Sequence, residues 1–242
     1  MPSSRGAQLL ASLRLLYQPV VRLADGTPSS AEVLARFAGD NGEITGPAGL
    51  LAAMSDGPSA IGLSVALMRQ GLADHAAAGL AALNLPLAFN LKLDALLHPA
   101  LLGHVLALCA EFSLPPAQLR LELTEDQPVH DLAATSHIIT ALHQAGFALA
   151  LDDITPAMPH LEALMDMPIS AVKLDKSLLS GADAFLSRII PHARARGLAV
   201  IAEGIETRAQ HEAMRANGAT HGQGFYYAKP LSAAALGAFL RR

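Results

Sequence analysis

Polar residues with chemical reach recur at one place in this chain, in or just past the C-terminal half of short apolar runs. Asn90, Glu122, Asp152 with Asp153, Lys173 with Asp175, Glu203 and Gln223 all stand there. Arg36 holds the same place in an earlier run, whereas Glu32 lies at that run's opposite end. Five carboxylates with one amide make an all-oxygen donor set, which suits Mg²⁺ or Mn²⁺ and not a thiolate or imidazole zinc site. The 10 His residues have no H-E-x-x-H or other zinc spacing and read as surface or satisfied core residues. Two divalent ions about 3.5–4 Å apart would share one carboxylate, activate a water and stabilise both oxygens of an in-line phosphoryl displacement. Asp152, with Asp153 beside it, is the natural bridge, and Lys173 would hold the attacking water or neutralise the phosphate.

Each of these residues alone also has a plainer reading. Glu32 and Arg36, four apart on a strand, share a side and would make a rim ion pair. Lys173 and Asp175 share a side too and would make a structural salt bridge. Asp152-Asp153 would cap a helix, although adjacent carboxylates repel unless a cation is present. Asn90 would close a turn, and Glu203 would stand idle ahead of a helix beginning near Thr207. Their coincidence at equivalent positions is what these readings leave unexplained.

The elements that must position them alternate in kind. β-like runs cover Leu15–Val21, Glu32–Phe37, Leu85–Leu91, Leu119–Thr124, Phe147–Leu151, Ser170–Leu174, Leu198–Ala202 and roughly His221–Tyr227. Ala/Leu-rich segments of helical length cover Ser59–Ala82, Pro99–Phe112, Leu132–Ala145, Ala184–Ala195, Arg208–Asn217 and Ser232–Leu240, with a shorter helix over Met158–Met165. Such alternation implies a parallel sheet with helices outside. The first two strands are only about ten residues apart, too close for a parallel crossover, so they form an antiparallel hairpin. Eight strands with one reversed predict an α/β fold, a (β/α)8 TIM-like barrel with an antiparallel first strand, whose strand C-termini converge on one face. The competing flat doubly wound sheet would be favoured by a nucleotide loop, but neither G-x-G-x-x-G nor a P-loop occurs.

Composition sets the outer bounds. With 52% apolar residues in a length of 242, disorder is excluded and one domain over 1–242 is expected. A net charge of -4 supplies no basic field for a DNA or RNA polymer. The lone Cys109 sits in an apolar stretch, so it reads as a buried thiol of a cytoplasmic protein. Pro86, Pro99 and Gly103 interrupt the longest uncharged stretches, so no membrane span is expected, and the apolar stretch between Arg5 and Arg14 is too short for a signal peptide.

The ordered motifs resemble those of the EAL domain, a bacterial barrel that hydrolyses the second messenger cyclic di-GMP. They stand here as Tyr17-Gln-Pro-Val, Glu32-Val-Leu-Ala-Arg36, Asn90-Leu, Glu122-Leu-Thr-Glu125, Asp152-Asp153, Val172-Lys173-Leu-Asp175, Ala202-Glu203-Gly-Ile-Glu206-Thr and Gln223-Gly-Phe-Tyr-Tyr-Ala-Lys-Pro-Leu. The resemblance implies that Glu32, Asn90, Glu122 and Asp152 hold one metal and that Asp152, Asp153 and Glu203 hold a second. It further implies that Lys173 contacts the catalytic water, that Gln18, Arg36, Asp175, Glu206 and Gln223 line the nucleotide site, and that Glu125 braces the loop after Asp153. A homodimer is the family expectation.

Departures from that pattern lie at Val33 within the signature triplet, at Lys92 where Ser usually follows the Asn-aliphatic pair, and in the weakly matching helix Pro47–Asp56. The largest is Ile154-Thr155-Pro156-Ala157 in place of Phe-Gly-Thr-Gly. Two glycines are lost, and Pro156 fixes its φ and deletes a donor, so the segment is expected to leave the usual path and lower turnover. The expected activity is therefore hydrolysis of cyclic di-GMP to pGpG, with two alternatives. One is a weak or inactive cyclic di-GMP receptor signalling through a protein partner, and the other is a metal-dependent barrel acting on a different phosphate or carboxylate.

Overall fold

The computed structural model of the chain describes residues 10–38, 44–124, 129–180 and 184–241. Strands β1 (Leu13–Arg22) and β2 (Pro28–Ala38) form the antiparallel hairpin that the short spacing predicts, with Gln18 opposite Glu32. Its turn is set by local chemistry. The Asp25 carboxylate accepts from Thr27 N–H at 2.9 Å, and Gly26 takes the positive φ of 73° that the reversal needs. A two-residue β3 (Ile44–Thr45) pairs with the end of β2 outside the ring.

From β2 the sheet continues in parallel through β4 (Leu87–Leu91), β5 (Leu119–Leu123), β6 (Ala148–Ile154), β7 (Ala171–Leu174), β8 (Ala199–Ala202) and β9 (His221–Gly222). The last of these pairs antiparallel with β1 and closes the barrel. The observed fold is thus an eight-stranded barrel with a reversed first strand.

Around it lie α1 (Ala48–Ala53), α2 (Gly57–Ala77), α3 (Leu93–Leu96), α4 (Leu101–Glu111), α5 (Leu132–Gln144), α6 (Leu161–Met165), α7 (Ala184–Ala195), α8 (Arg208–Asn217) and α9 (Ala233–Leu240). Their starts are written in the sequence. Asp56, Asp131, Thr207 and Ser232 each accept a backbone N–H of the first turn, and Thr207 with Gln210 makes a reciprocal capping box.

Several boundaries depart from the sequence reading: β2 starts at Pro28 and not Glu32, β6 runs on to Ile154 and not only to Leu151, and α6 starts at Leu161 and not Met158. The helix expected to reach Ala82 ends at Ala77, and a separate 3₁₀ turn occupies Leu80–Leu83. The last strand, expected to run to Tyr227, stops at Gly222 because the chain turns against Ile205. Gly224 makes that approach possible, since a Cβ there would lie 2.1 Å from the Ile205 carbonyl oxygen.

Outward strand residues such as Leu121, Leu149, Val172 and Val200 join the helices in the main core. Inside the barrel Val20, Ala150, Ala171 and Ile201 form a small separate apolar cluster. Residues two apart on a strand face the same side, so this cluster floors the layer that holds Gln18, Asp152, Lys173 and Glu203.

Candidate active site

Lys173 stands at the centre of that layer and is 1% exposed. Its Nζ lies 2.7 Å from Asp152 Oδ1, 2.7 Å from Glu203 Oε1, 3.1 Å from Glu122 Oε2 and 3.2 Å from Glu32 Oε2. Glu32 is held further by Asn90 Nδ2, donating at 2.8 Å to Oε1, and by Gln223 Nε2, donating at 2.7 Å to Oε2. Gln223 also reaches Gln18 Oε1 at 3.3 Å, and Gln18 is anchored on the Ala228 carbonyl at 3.2 Å. Residues from eight strands or strand ends thus meet in one network.

Adjacent residues of a regular strand point to opposite faces, so Asp152 and Asp153 need a distortion to act together. β6 supplies it. Its pairing with β7 shifts register between Leu151 and Ile154, and Asp153 takes a left-handed φ of 44°. The carboxylates then fall into two groups, Glu32–Glu122–Asp152 and Asp152–Asp153–Glu203, each with ligand oxygens within 4.8 Å of one another. Asp152 belongs to both. This grouping persists although Pro156 and Ala157 stand where the usual pattern has Thr and Gly.

The donors suit hard divalent cations. Asn90 spends its N–H on Glu32, while its buried Oδ1 has no hydrogen-bond partner. A bound ion would satisfy that oxygen. Five carboxylates against one ammonium leave a formal charge of about −4, which two divalent cations balance.

Electrostatics follow from this crowding. Burial pushes Glu122 up to about 8 and Asp152 to about 6, each helped by neighbouring carboxylates and opposed by Lys173. Glu203 is raised well above the carboxylate range by burial and by Asp152 and Glu32. Burial also acts to raise Glu32, but Lys173, Gln223 and Asn90 outweigh it and hold the group low. Lys173 is held well above the usual lysine value; burial opposes this, and the four carboxylates prevail. It is an ammonium, and in that form it cannot act as a general base.

Two openings flank the carboxylates, and Glu32, Asp152 and Asp153 line both. Gln18, Asp175, Glu206 and Gln223 line a cleft of about 370 Å³ together with Lys173 and Glu203. Arg36 lines the other, a chamber of about 290 Å³, and makes no ion pair among the described residues. The rim pair imagined for Glu32 and Arg36 is therefore absent, as is a Lys173–Asp175 bridge. Asp175 instead accepts from Ser177 N–H at 2.9 Å, capping a short 3₁₀ turn. Glu125 lies outside the described residues.

Sequence reasoning missed Ser64 and Thr124, which also line the chamber. Thr124 was within reach of the strand period, being two residues beyond Glu122. Ser64 had a fainter signal, a hydroxyl between Ile61 and Met68 on the buried face of α2.

Comparison with known proteins agrees with this geometry. The EAL domain family model matches residues 5–230. The cyclic di-GMP phosphodiesterase RocR of Pseudomonas aeruginosa is 30% identical over 221 residues, covering 89% of this chain and 56% of RocR. The probable cyclic di-GMP phosphodiesterase PdeG of Escherichia coli is 28% identical over 223 residues, covering 89% of this chain and 44% of PdeG. The chain thus spans about half the length of these curated relatives. The PaMucR phosphodiesterase, solved as a c-di-GMP complex, aligns with a TM-score of 0.85 at 26% identity over 95% of this chain and 97% of that one. A chain with this barrel, these carboxylates and this match along nearly its whole length belongs to the EAL domain family.

Proposed function

We propose that this chain hydrolyses cyclic di-GMP to the linear dinucleotide pGpG. The observation that carries the reading is the pair of carboxylate groups joined at Asp152, with a charge matched by two divalent cations. Glu32, Asn90, Glu122 and Asp152 would hold one Mg²⁺ or Mn²⁺, and Asp152, Asp153 and Glu203 the other. Bound there, the ions would lower the pKa of a water and neutralise the phosphodiester.

The protein's own part is positioning and proton handling. Lys173, fixed as an ammonium, orients the attacking water and offsets charge on the phosphoryl oxygens. Glu203 has the most exposed side chain of the four carboxylates around Lys173, at 16%. It accepts the water's proton as the new O–P bond forms and the P–O3′ bond breaks, and the departing 3′ oxygen is protonated from solvent. Gln18, Arg36, Asp175, Glu206 and Gln223 hold the nucleotide, and Glu125 braces the segment after Asp153. The names of RocR, PdeG and PaMucR support the substrate. The buried Cys109 supports a reducing, cytoplasmic setting, and a homodimer is part of the reading.

Chromatographic detection of pGpG after incubation of cyclic di-GMP with the protein in Mg²⁺ or Mn²⁺ tests the proposal. Product released in proportion to enzyme is expected. Tight binding without product would favour the second reading, a receptor acting through a protein partner, which the altered 154–157 segment supports. No binding and no product would overturn both.

A further inference from the structure

The chamber beside the carboxylates has a character of its own. Leu50 and Met54 from the α1 side, Leu67 from α2 and Leu91 from β4 give it apolar walls. Two cations enter it. Among the described residues Arg36 donates to its neighbour's carbonyl and Lys92 makes a long contact, 3.4 Å, with the Met54 carbonyl. Neither makes an ion pair among the described residues. Two of its lining residues also carry buried hydroxyls without a hydrogen-bond partner among the described residues, Thr124 Oγ1 and Ser64 Oγ. Apolar walls beside an ammonium engaged only by a long contact describe a site for a flat ring with a polar edge, and such sites satisfy their polar groups through the ligand.

Lys92 is well placed to read that edge. Its backbone is pinned as the N-cap of α3, with its carbonyl accepting from Ala95 and Leu96 N–H. Its ammonium ends beside Met54, at the apolar wall and not at the carboxylates. A guanine presents two adjacent acceptors, O6 and N7, on one edge, whereas adenine presents N7 beside an amino donor. An ammonium, which can only donate, matches the first edge and is repelled by half of the second.

We propose that Lys92 is a specificity-determining residue, reading the O6/N7 edge of one guanine of the dinucleotide in this chamber. The inference rests on the cyclic di-GMP reading above. Calorimetric binding of cyclic di-GMP and cyclic di-AMP in Ca²⁺, with the nucleotides checked as intact afterwards, tests it on the parent, Lys92→Met and Lys92→Arg. Met keeps the stem and removes the charge, whereas Arg restores donors for the same edge. The parent is expected to prefer cyclic di-GMP by about tenfold or more, Lys92→Met to lose that preference by weakening cyclic di-GMP alone, and Lys92→Arg to recover it. Equal weakening of both ligands would assign Lys92 to a phosphate and overturn the inference, as would an unchanged ratio in Lys92→Met. Failure of the parent to bind cyclic di-GMP would overturn the proposed function as well, so the two failures are distinguishable.

Discussion

Replacing Lys173 by Met removes the one ammonium among Glu32, Glu122, Asp152 and Glu203, all within 3.2 Å of it. The stem still fills its place, so the change is mainly one of charge. Stripping one partner from a buried ion pair costs about 3–5 kcal/mol. In a domain of this size each kcal/mol moves the melting temperature by roughly 2–4 °C. The metal-free variant should therefore melt about 6–20 °C below the parent. Divalent cations supply the missing positive charge, so Mn²⁺ at 100 times its Kd, worth about 2.7 kcal/mol for one site, should recover a large part of that loss. Differential scanning calorimetry of both proteins in EDTA and in Mn²⁺ reads both effects. Melting within 2 °C of the parent in EDTA, or a smaller gain from Mn²⁺ than the parent shows, would refute the view of Lys173 as the charge partner of this cluster.

Four further outcomes are expected. In the metal-free protein Glu122 titrates near 8 and Asp152 near 6, against 4.5 and 3.8 for the free groups, so the folded state holds protons that the unfolded state has released. Their contribution is full below about pH 4 and is lost as pH climbs through 6 and then 8; melting in EDTA should fall over that window while Mn²⁺ affinity, titrated calorimetrically, should rise. Glu122→Gln keeps the shape and removes one charge, and should lower pGpG release by at least the roughly 10–100-fold typical of outer-shell metal mutations, with an unchanged circular dichroism spectrum. Lys173→Ala should depress kcat far more than affinity, and equal losses would mean that it binds the ground state. The combined change of Ile154→Phe, Thr155→Gly, Pro156→Thr and Ala157→Gly should raise turnover at low Mg²⁺, and full parent activity there with no gain would show that the segment is compensated elsewhere.

Most of the scaffold was legible because its signals are local. Loop length told that β1 and β2 pair antiparallel, and the Ala/Leu-rich segments placed the starts of α5 at Leu132 and α8 at Arg208. The polar layer was legible for a related reason, since residues at the C-terminal ends of barrel strands must converge. Less could be read where geometry depends on distant partners. The four carboxylate contacts of Lys173 come from β2, β5, β6 and the end of β8, and only closure of the barrel brings these together. The left-handed Asp153 has no mark of its own, because Asp is tolerated there without being required. Asp175 looked like a partner for Lys173 by strand period, but the chain turns immediately after it and spends the carboxylate on Ser177 N–H. The end of β9 was overextended because Gln223-Gly-Phe-Tyr-Tyr has strand-like residues, while the close packing of Gly224 on Ile205 is a tertiary fact.

Sharing of Asp152 by two ions underlies the proposed chemistry. Electron paramagnetic resonance during titration with Mn²⁺ counts them and reports whether they are neighbours. Two Mn²⁺ per chain with an exchange-coupled spectrum are expected, reduced to an uncoupled spectrum in Asp152→Asn; one ion per chain, or two uncoupled ions in the parent, would contradict a shared Asp152.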